Sequence, residues 1–265
     1  MPRGLLDWPG VVLGWIDQPL RALLPDAIVL SLWALVSAAA TMWVYQRFSN
    51  QDKLAALKPQ IKAVQKKLSN YDGDFSGLKP LIAENFRLSG RQIGLALGPA
   101  LLAGIPVLFV LVWISNAYGV YLPEPGTPVQ VRAVAEADAD ASDWRWRGVP
   151  ANRLEGLEAP GATWSVPWPG DDATAELVDD AGDVLLELPP EHASPVLHER
   201  QWWNALIGNP AGYLAADHPA RAIHLNLPHH EILPFGPGWM RGWPFLYFVL
   251  LVAGSLAVKF LWRIH

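Results

Sequence analysis

Three long apolar stretches constrain this chain more than any other feature of its sequence. They run roughly from Ala27 to Tyr45, from Ile93 to Ala117 and from Trp243 to Trp262. Each is close to the ~20 apolar residues that a helix rising ~1.5 Å per residue needs to cross a hydrocarbon core ~30 Å thick. The second contains no ionisable residue, and the third contains only Lys259, close to its end. The pattern predicts a membrane protein with three transmembrane helices.

Charge is segregated between the segments that join these stretches. Residues 46–92 carry 9 Lys and Arg against 4 Asp and Glu, whereas residues 118–241 carry 7 against 18. Loops rich in Lys and Arg near the ends of spans stay in the cytoplasm. We therefore expect a multi-pass protein of the inner (cytoplasmic) membrane, with residues 46–92 inside and both the N-terminus and residues 118–241 outside. A basic loop without interleaved aromatic residues is a poor candidate for binding nucleic acid.

The first apolar stretch has an alternative interpretation as a cleaved signal peptide, because residues 36–40 (VSAAA) are small. However, about 26 residues precede the stretch, and they carry two arginines beside three aspartates instead of a short basic segment. Trp8 and Trp15 lie among aliphatic residues there. The favoured prediction is a retained span, residues 27–45, preceded by an interfacial helix within residues 1–26 on the outer membrane surface.

Residues 46–92 predict a helical hairpin. Its first helix carries apolar residues at intervals of three and four, a seam typical of a coiled coil: Leu54, Leu57, Ile61, Val64 and Leu68. Lysines cover the rest of that helix, and residues 69–74 (SNYDGD) break it before a second helical stretch leads back to the membrane. The seam is either a contact surface for a partner or the face that packs on the return helix, and the sequence leaves both open.

Residues 118–241 predict an inserted, sandwich-like β-rich domain. Apolar and polar residues alternate from Val129 to Ala133 and from Ile223 to Leu227, and the turn-forming run 179–183 (DDAGD) separates two apolar segments as in a hairpin. The eight tryptophans in or next to this domain leave a carbohydrate-binding platform open.

Catalytic and metal-binding patterns are weak in this chain. Four histidines lie near acidic residues, but their spacing matches no metal motif: His218, His224, His229 and His230. No nucleophile elbow, P-loop or dinucleotide fingerprint occurs. The absence of cysteine excludes disulfides and thiol chemistry. We expect no metal, no cofactor and no enzymatic activity.

A small set of polar and basic residues lies in or beside the apolar stretches. One interpretation is that Arg47 and Lys259 reach the interface by ordinary snorkelling. The other is a half-hydrated groove inside a three-helix bundle, with a positive mouth, that receives a polar segment of another membrane protein. The candidate residues of such a groove and of client binding are Ser37, Thr41, Gln46, Arg47, Asn116, Ser255 and Lys259.

Three segments together resemble the YidC/Oxa/Alb superfamily of membrane-protein insertases. The most similar branch has three spans and includes the third subunit of the endoplasmic-reticulum membrane protein complex and its prokaryotic relatives. The segments are ALVSAAATMWVYQRFSNQDKLAALKPQIKAVQKKL, RLSGRQIGLALGPALLAGIPVLFVLVWI and LPFGPGWMRGWPFLYFVLLVAGSLAVKFLWRI. Insertases such as YidC place an arginine within the groove, whereas Arg47 lies at the edge of the first span.

The resemblance implies a three-helix core, consisting here of residues 27–45, 93–117 and 242–265 with a short cytoplasmic tail. It implies a hydrophilic groove open to the cytoplasm and a coiled coil that receives client, ribosome or partner. The implied function is a non-enzymatic insertase or insertion chaperone for nascent membrane proteins in the lipid bilayer. One alternative is a membrane-anchored scaffold subunit whose extracytoplasmic β-domain binds another envelope protein, and another is an ion-conducting or metal-dependent protein.

Overall fold

The computed structural model describes residues 4–136, 139–154, 161–170 and 173–263. The chain divides into two compact units. One comprises residues 1–19 and 111–243, and the other comprises residues 20–110 and 244–265. In the described residues the α-helices are α1 (Gly10–Leu23), α2 (Asp26–Phe48), α3 (Gln51–Ser69), α4 (Phe75–Tyr118), α5 (Gly238–Arg241) and α6 (Trp243–Leu261).

Three of these helices are long and apolar enough to cross a membrane, as the sequence predicted. They are α2, α4 and α6. About a third of the apolar window of α2 is buried, against about a tenth in the other two helices. The most buried of the three is therefore α2, and its residues Ala34 and Ala38 have no exposed surface.

Small residues allow α2 and α6 to approach each other closely. A Cβ placed on Gly254 would lie 3.0 Å from the Ala38 Cβ and 3.1 Å from the Leu35 Cδ2. Contacts this short leave no space for a larger side chain, and small residues are a common means of packing transmembrane helices. Gly254 thus lies at a close approach of these two helices.

The second span and the return stretch of the hairpin form one uninterrupted helix. The sequence predicted a span at residues 93–117 and a separate helical stretch before it, but α4 runs through both and has 44 residues. Pro80, Pro99 and Pro106 lie inside it. Each proline removes one backbone hydrogen bond, which bends a helix more often than it ends the helix. Residues 89–92 (SGRQ), which join the two predicted segments, contain no proline.

The hairpin consists of α3 and the first part of α4. The Asn50 side chain caps α3 by accepting a hydrogen bond from the Lys53 backbone N–H at 3.1 Å. The seam residues Leu54, Leu57, Ile61 and Val64 are buried. Leu57, Ile61 and Val64 pack with Leu88, and Leu68 and Leu95 border this cluster. The seam therefore packs on the return helix, which is one of the two alternatives that the sequence left open.

The other unit contains a β-domain of two antiparallel sheets. The five-stranded sheet has the order β3-β4-β1-β8-β7, and the three-stranded sheet has the order β2-β5-β6. The strands are β1 (Pro128–Ala135), β2 (Arg145–Arg147), β3 (Asn152–Leu154), β4 (Ala162–Pro167), β5 (Ala175–Val178), β6 (Val184–Leu188), β7 (Val196–His198) and β8 (Ala220–Leu225). One hydrophobic core takes residues from both sheets, among them Val131, Leu177 and Ile223.

The predicted strand patterns are confirmed where they were most regular. In β1 exposed and buried residues alternate, and β5 pairs with β6 in antiparallel register from Ala175 opposite Leu188 to Val178 opposite Val184. Gly182 takes a φ of 92° in the turn between them, a backbone conformation that glycine adopts without steric cost. Period-two alternation therefore located β1 correctly, and the turn-forming run 179–183 located the hairpin of β5 and β6.

Candidate functional site

A groove of about 460 Å³ lies between α2, α4 and α6. It is lined by one short segment of α2, one of α4 and one face of α6: Thr41, Met42, Gly104, Val107, Leu108, Leu251, Val252, Ser255, Leu256 and Lys259. Three of the residues selected from the sequence, Thr41, Ser255 and Lys259, are thus brought together. They come from two helices that are separated by about 200 residues in the chain.

The chemistry of the groove is mostly aliphatic, with a polar end. The Thr41 hydroxyl donates a hydrogen bond to the Ser37 carbonyl oxygen at 2.7 Å, so it is satisfied by its own helix and offers little polarity to the groove. Ser255 and Lys259 are four residues apart and therefore share one face of α6. The groove is therefore amphipathic, with an exposed ammonium group near the end of α6.

Ser37 lies in the helix packing and not in the groove. Its residue surface is 4% exposed, and Tyr247 of the neighbouring helix α6 is also fully buried. Two buried hydroxyls therefore lie between α2 and α6, where polar side chains in transmembrane helices commonly contact a neighbouring helix. Ser37 is therefore buried within the helix packing and does not line the groove.

The remaining candidates lie away from the groove. Gln46 and Arg47 are exposed in the last turn of α2, where the Arg47 guanidinium carbon is 5.9 Å from the centre of the Phe48 ring. Asn116 belongs to the other unit and lines a separate cavity of about 490 Å³ with Asp7 and Trp113. Asn116 therefore does not belong to the groove.

The exposed face of α3 is strongly basic. The seam side chains are buried, so the hairpin presents a row of exposed lysines to its surroundings: Lys53, Lys58, Lys62, Lys66 and Lys67. A surface of this kind attracts acidic proteins and anionic headgroups by long-range electrostatics. Positive charge is therefore the main chemical feature that the exposed face of α3 offers to its surroundings.

The four histidines have separate local contacts. Both ring nitrogens of His218 contact backbone carbonyls, those of Ala220 and Leu185, at 3.0 Å. The ring of His230 stacks on Tyr118 with centroids 6.2 Å apart. Among the described residues, no group of three or more His, Cys, Asp or Glu side chains is arranged to hold a metal ion.

Sequence reasoning missed a buried ionisable pair. Asp17 of α1 is 3% exposed, and it accepts a hydrogen bond from the fully buried Tyr118 hydroxyl at 2.7 Å. Asp17 follows Trp15 and Ile16 in a segment whose apolar residues face outward, so local pattern gave no reason to place a carboxylate inside. The contact spans 101 positions of sequence.

No protein-family model, curated protein or solved structure matches this chain. Functional interpretation therefore depends on the chemistry of the groove, the hairpin and the β-domain themselves.

Proposed function

We propose that this chain is a membrane-protein insertase or insertion chaperone, in which the groove between α2, α4 and α6 receives a segment of the client. The observation that carries the proposal is the groove itself, whose aliphatic walls end at the hydroxyl of Ser255 and the ammonium of Lys259. Such a surface matches a client segment that is apolar along most of its length and polar or acidic at one end.

The proposed mechanism lowers the cost of moving polar groups through lipid. A charged side chain at the centre of a bilayer costs about 2.5–3.5 kcal/mol on insertion scales. In the groove, the apolar part of a client packs against side chains such as Val107 and Leu251, while an acidic group meets Lys259. The client then leaves sideways into the lipid, so no covalent chemistry is required.

The hairpin supplies recruitment in this proposal. We place residues 46–92 in the cytoplasm because of their basic charge, with the N-terminus and the β-domain on the opposite side. The lysine face of α3 then attracts acidic regions of a client or the surface of a ribosome. The arrangement of three spans, with a helical hairpin between the first two, supports membership of the YidC/Oxa/Alb superfamily.

Site-specific photocrosslinking in reconstituted vesicles tests the proposal. A photoreactive amino acid is placed at Thr41, Ser255 or Lys259, and a single-span client with a short acidic tail is synthesised in the presence of the vesicles. We expect client adducts from these three positions and none from Val249, which is 49% exposed on α6 but does not line the groove.

Two outcomes would contradict the proposal. If Val249 and the groove positions gave equal yields of client adduct, the client would be meeting the protein by random collision in the lipid and not by binding in the groove. Adducts to an envelope protein that form only from the β-domain, with none from the groove, would favour the scaffold alternative.

A further inference from the structure

The helix α1 exposes an apolar face and buries its one acidic residue, Asp17, on the opposite face. Its exposed face, with the preceding Trp8, carries Val12, Trp15 and Ile16, of which Trp8 is 78% and Trp15 is 73% exposed. On the opposite face, a Cβ on Gly10 would lie 3.5 Å from the Trp113 Cδ1, and Asp17 is buried. This orientation is the reverse of that found on the surface of a water-soluble domain.

A second apolar element lies far away in the sequence. Residues 202–207, here named the aromatic turn, begin with the 3-10 helix Trp202–Ala205. Trp202 is 84% exposed, and the other large apolar side chains of the turn are between 40% and 48% exposed: Trp203, Leu206 and Ile207. The turn lies in a stretch, residues 201–216, without a single charged residue, although the chain carries 18 Asp and Glu between residues 118 and 241.

Backbone contacts join the aromatic turn to the N-terminal segment. The Leu6 amide donates to the Leu206 carbonyl oxygen at 2.9 Å, and the Gly208 amide donates to the Asp7 Oδ2 at 2.6 Å. Gly4 approaches the turn so closely that a Cβ there would lie 2.5 Å from the Leu206 carbonyl carbon. The aromatic turn and the segment just before Trp8 are therefore adjacent within this unit.

We propose that the aromatic turn is a second membrane-docking element, which inserts into the headgroup region of the leaflet that faces the β-domain. We assign lipid as the partner of the turn because α1 leads directly into a helix that is apolar enough to span a membrane. α1 ends at Leu23, and that helix, α2, begins at Asp26. The apolar face of α1 therefore lies close in the chain to the start of a candidate span, and the turn contacts the segment that leads into α1. Tryptophan is the residue most typical of this depth, and a large uncharged apolar patch marks a site of interaction. The inference requires a membrane-spanning chain but not an insertase.

The chain has no cysteine, so single cysteines can be introduced and labelled without a background. The experiment uses the full chain in lipid nanodiscs, with an environment-sensitive fluorophore on Trp202→Cys or Leu206→Cys, and with nitroxide-labelled lipids as quenchers. Trp15→Cys is the positive control. Val184→Cys, on β6 and 49% exposed, is the matched control within the β-domain.

We expect lipid nitroxides to quench the labels at positions 202 and 206 to the same extent as the label at position 15, and to leave position 184 unquenched. Labels at 202 and 206 that respond only to a water-soluble quencher would overturn the proposal. So would labels shielded from both quenchers, because another protein surface, such as a second copy of the chain, would then cover the turn.

A second variant tests the link between the turn and the N-terminal segment. Because no side chain fits at Gly4, Gly4→Ala should release the turn and lower lipid quenching at position 206 by at least twofold, while position 15 keeps its quenching. Unchanged quenching at 206 in this variant would contradict the link. Neither measurement involves client insertion, so failure of the insertase proposal and failure of this one are distinguishable.

Discussion

At the scale of single residues, the contact between Asp17 and Tyr118 is the clearest case of a polar interaction that positions an element. A carboxylate inside a protein is costly unless hydrogen bonds replace its hydration, and the Tyr118 hydroxyl supplies one of these bonds at 2.7 Å. The contact holds α1 against the end of α4. Asp17 therefore lies on the face of α1 that packs against this end of α4.

Tyr118→Phe should lower the free energy of unfolding by about 1–3 kcal/mol, because it removes a donor from a buried carboxylate and leaves the ring in place. Tyr121→Phe is the matched control, since Tyr121 is 48% exposed, and we expect it to change stability by no more than about 0.5 kcal/mol. Thermal unfolding of the purified protein in detergent measures both. Equal losses in the two variants would show that the buried pair has no special role.

Lys259 is the residue of the groove whose charge carries the functional proposal. Lys259→Gln should reduce insertion of a client with an acidic tail about fivefold, equivalent to the loss of about 1 kcal/mol of attraction, and should spare a client with a neutral tail. Arg263→Gln removes a nearby charge that does not line the groove and serves as the control. The measurement is protease protection of the tail in reconstituted vesicles, and an equal effect on both clients would contradict the assigned role.

At the scale of elements, glycines separate packed helix surfaces from open ones. Gly254→Leu should destabilise the protein by about 1–3 kcal/mol, because Ala38 and Leu35 leave no room for the added atoms. Gly98→Leu on α4 is the matched control, since a Cβ at Gly98 meets nothing within 4 Å. Resistance to unfolding in a denaturing detergent compares the two variants. If Gly98→Leu were equally harmful, the close approach of α2 and α6 would not explain the result.

The hairpin gives a second test at this scale, since substitutions in its buried seam and on its exposed lysine face should differ in their effect on stability. Leu57→Ala should cost about 2–5 kcal/mol by leaving a cavity beside Leu88, and it should speed hydrogen exchange in α3. The adjacent exposed Lys58→Ala should change stability by no more than about 0.5 kcal/mol. Full protection of α3 in the Leu57→Ala variant would argue against the packing described.

Element patterns that repeat locally could be predicted from the sequence, and contacts between distant segments could not. Hydrophobic length identified α2, α4 and α6, period-two alternation identified β1, and the turn-forming run 179–183 identified the β5–β6 hairpin. The continuity of α4 through the return stretch and the second span was not predicted, because residues 89–92 carry neither a strong helix signal nor a strong turn signal. The seam pattern was compatible both with a partner contact and with packing on the return helix. Its packing is seen only in the contact with Leu88, which the sequence pattern does not specify.

Prediction of the candidate site followed the same rule. Polar residues in apolar helices drew attention to Thr41, Ser255 and Lys259, which do share a groove. Ser37 and Asn116 fit the same criterion but lie elsewhere, because residue type does not determine which face of a helix meets a neighbour. The pairing of Leu6 with Leu206 depends on a contact across 200 positions, for which no local signal exists.

At the scale of the whole molecule, connectivity constrains where the soluble parts can lie. If α2 and α4 each cross the membrane once, the β-domain lies on the same side as residues 1–25 and opposite to α3. Single cysteines at Asp52 and Asp180, both exposed, should therefore react with a membrane-impermeant reagent from opposite sides of intact cells or oriented vesicles. Both sites should react after solubilisation, and reaction of both from one side of an intact membrane would contradict the three-span arrangement.

The length of α4 has a mechanical consequence. At ~1.5 Å per residue its 44 residues extend about 66 Å, roughly twice the hydrocarbon thickness. Two residues of α4 have separate roles: Leu88 packs against α3, and Gly104 lines the groove. Between them stands Pro99, where a missing backbone hydrogen bond makes bending easiest. Because Leu88 and Gly104 lie on the same helix on either side of Pro99, any bend at Pro99 changes the angle between the hairpin and this wall of the groove.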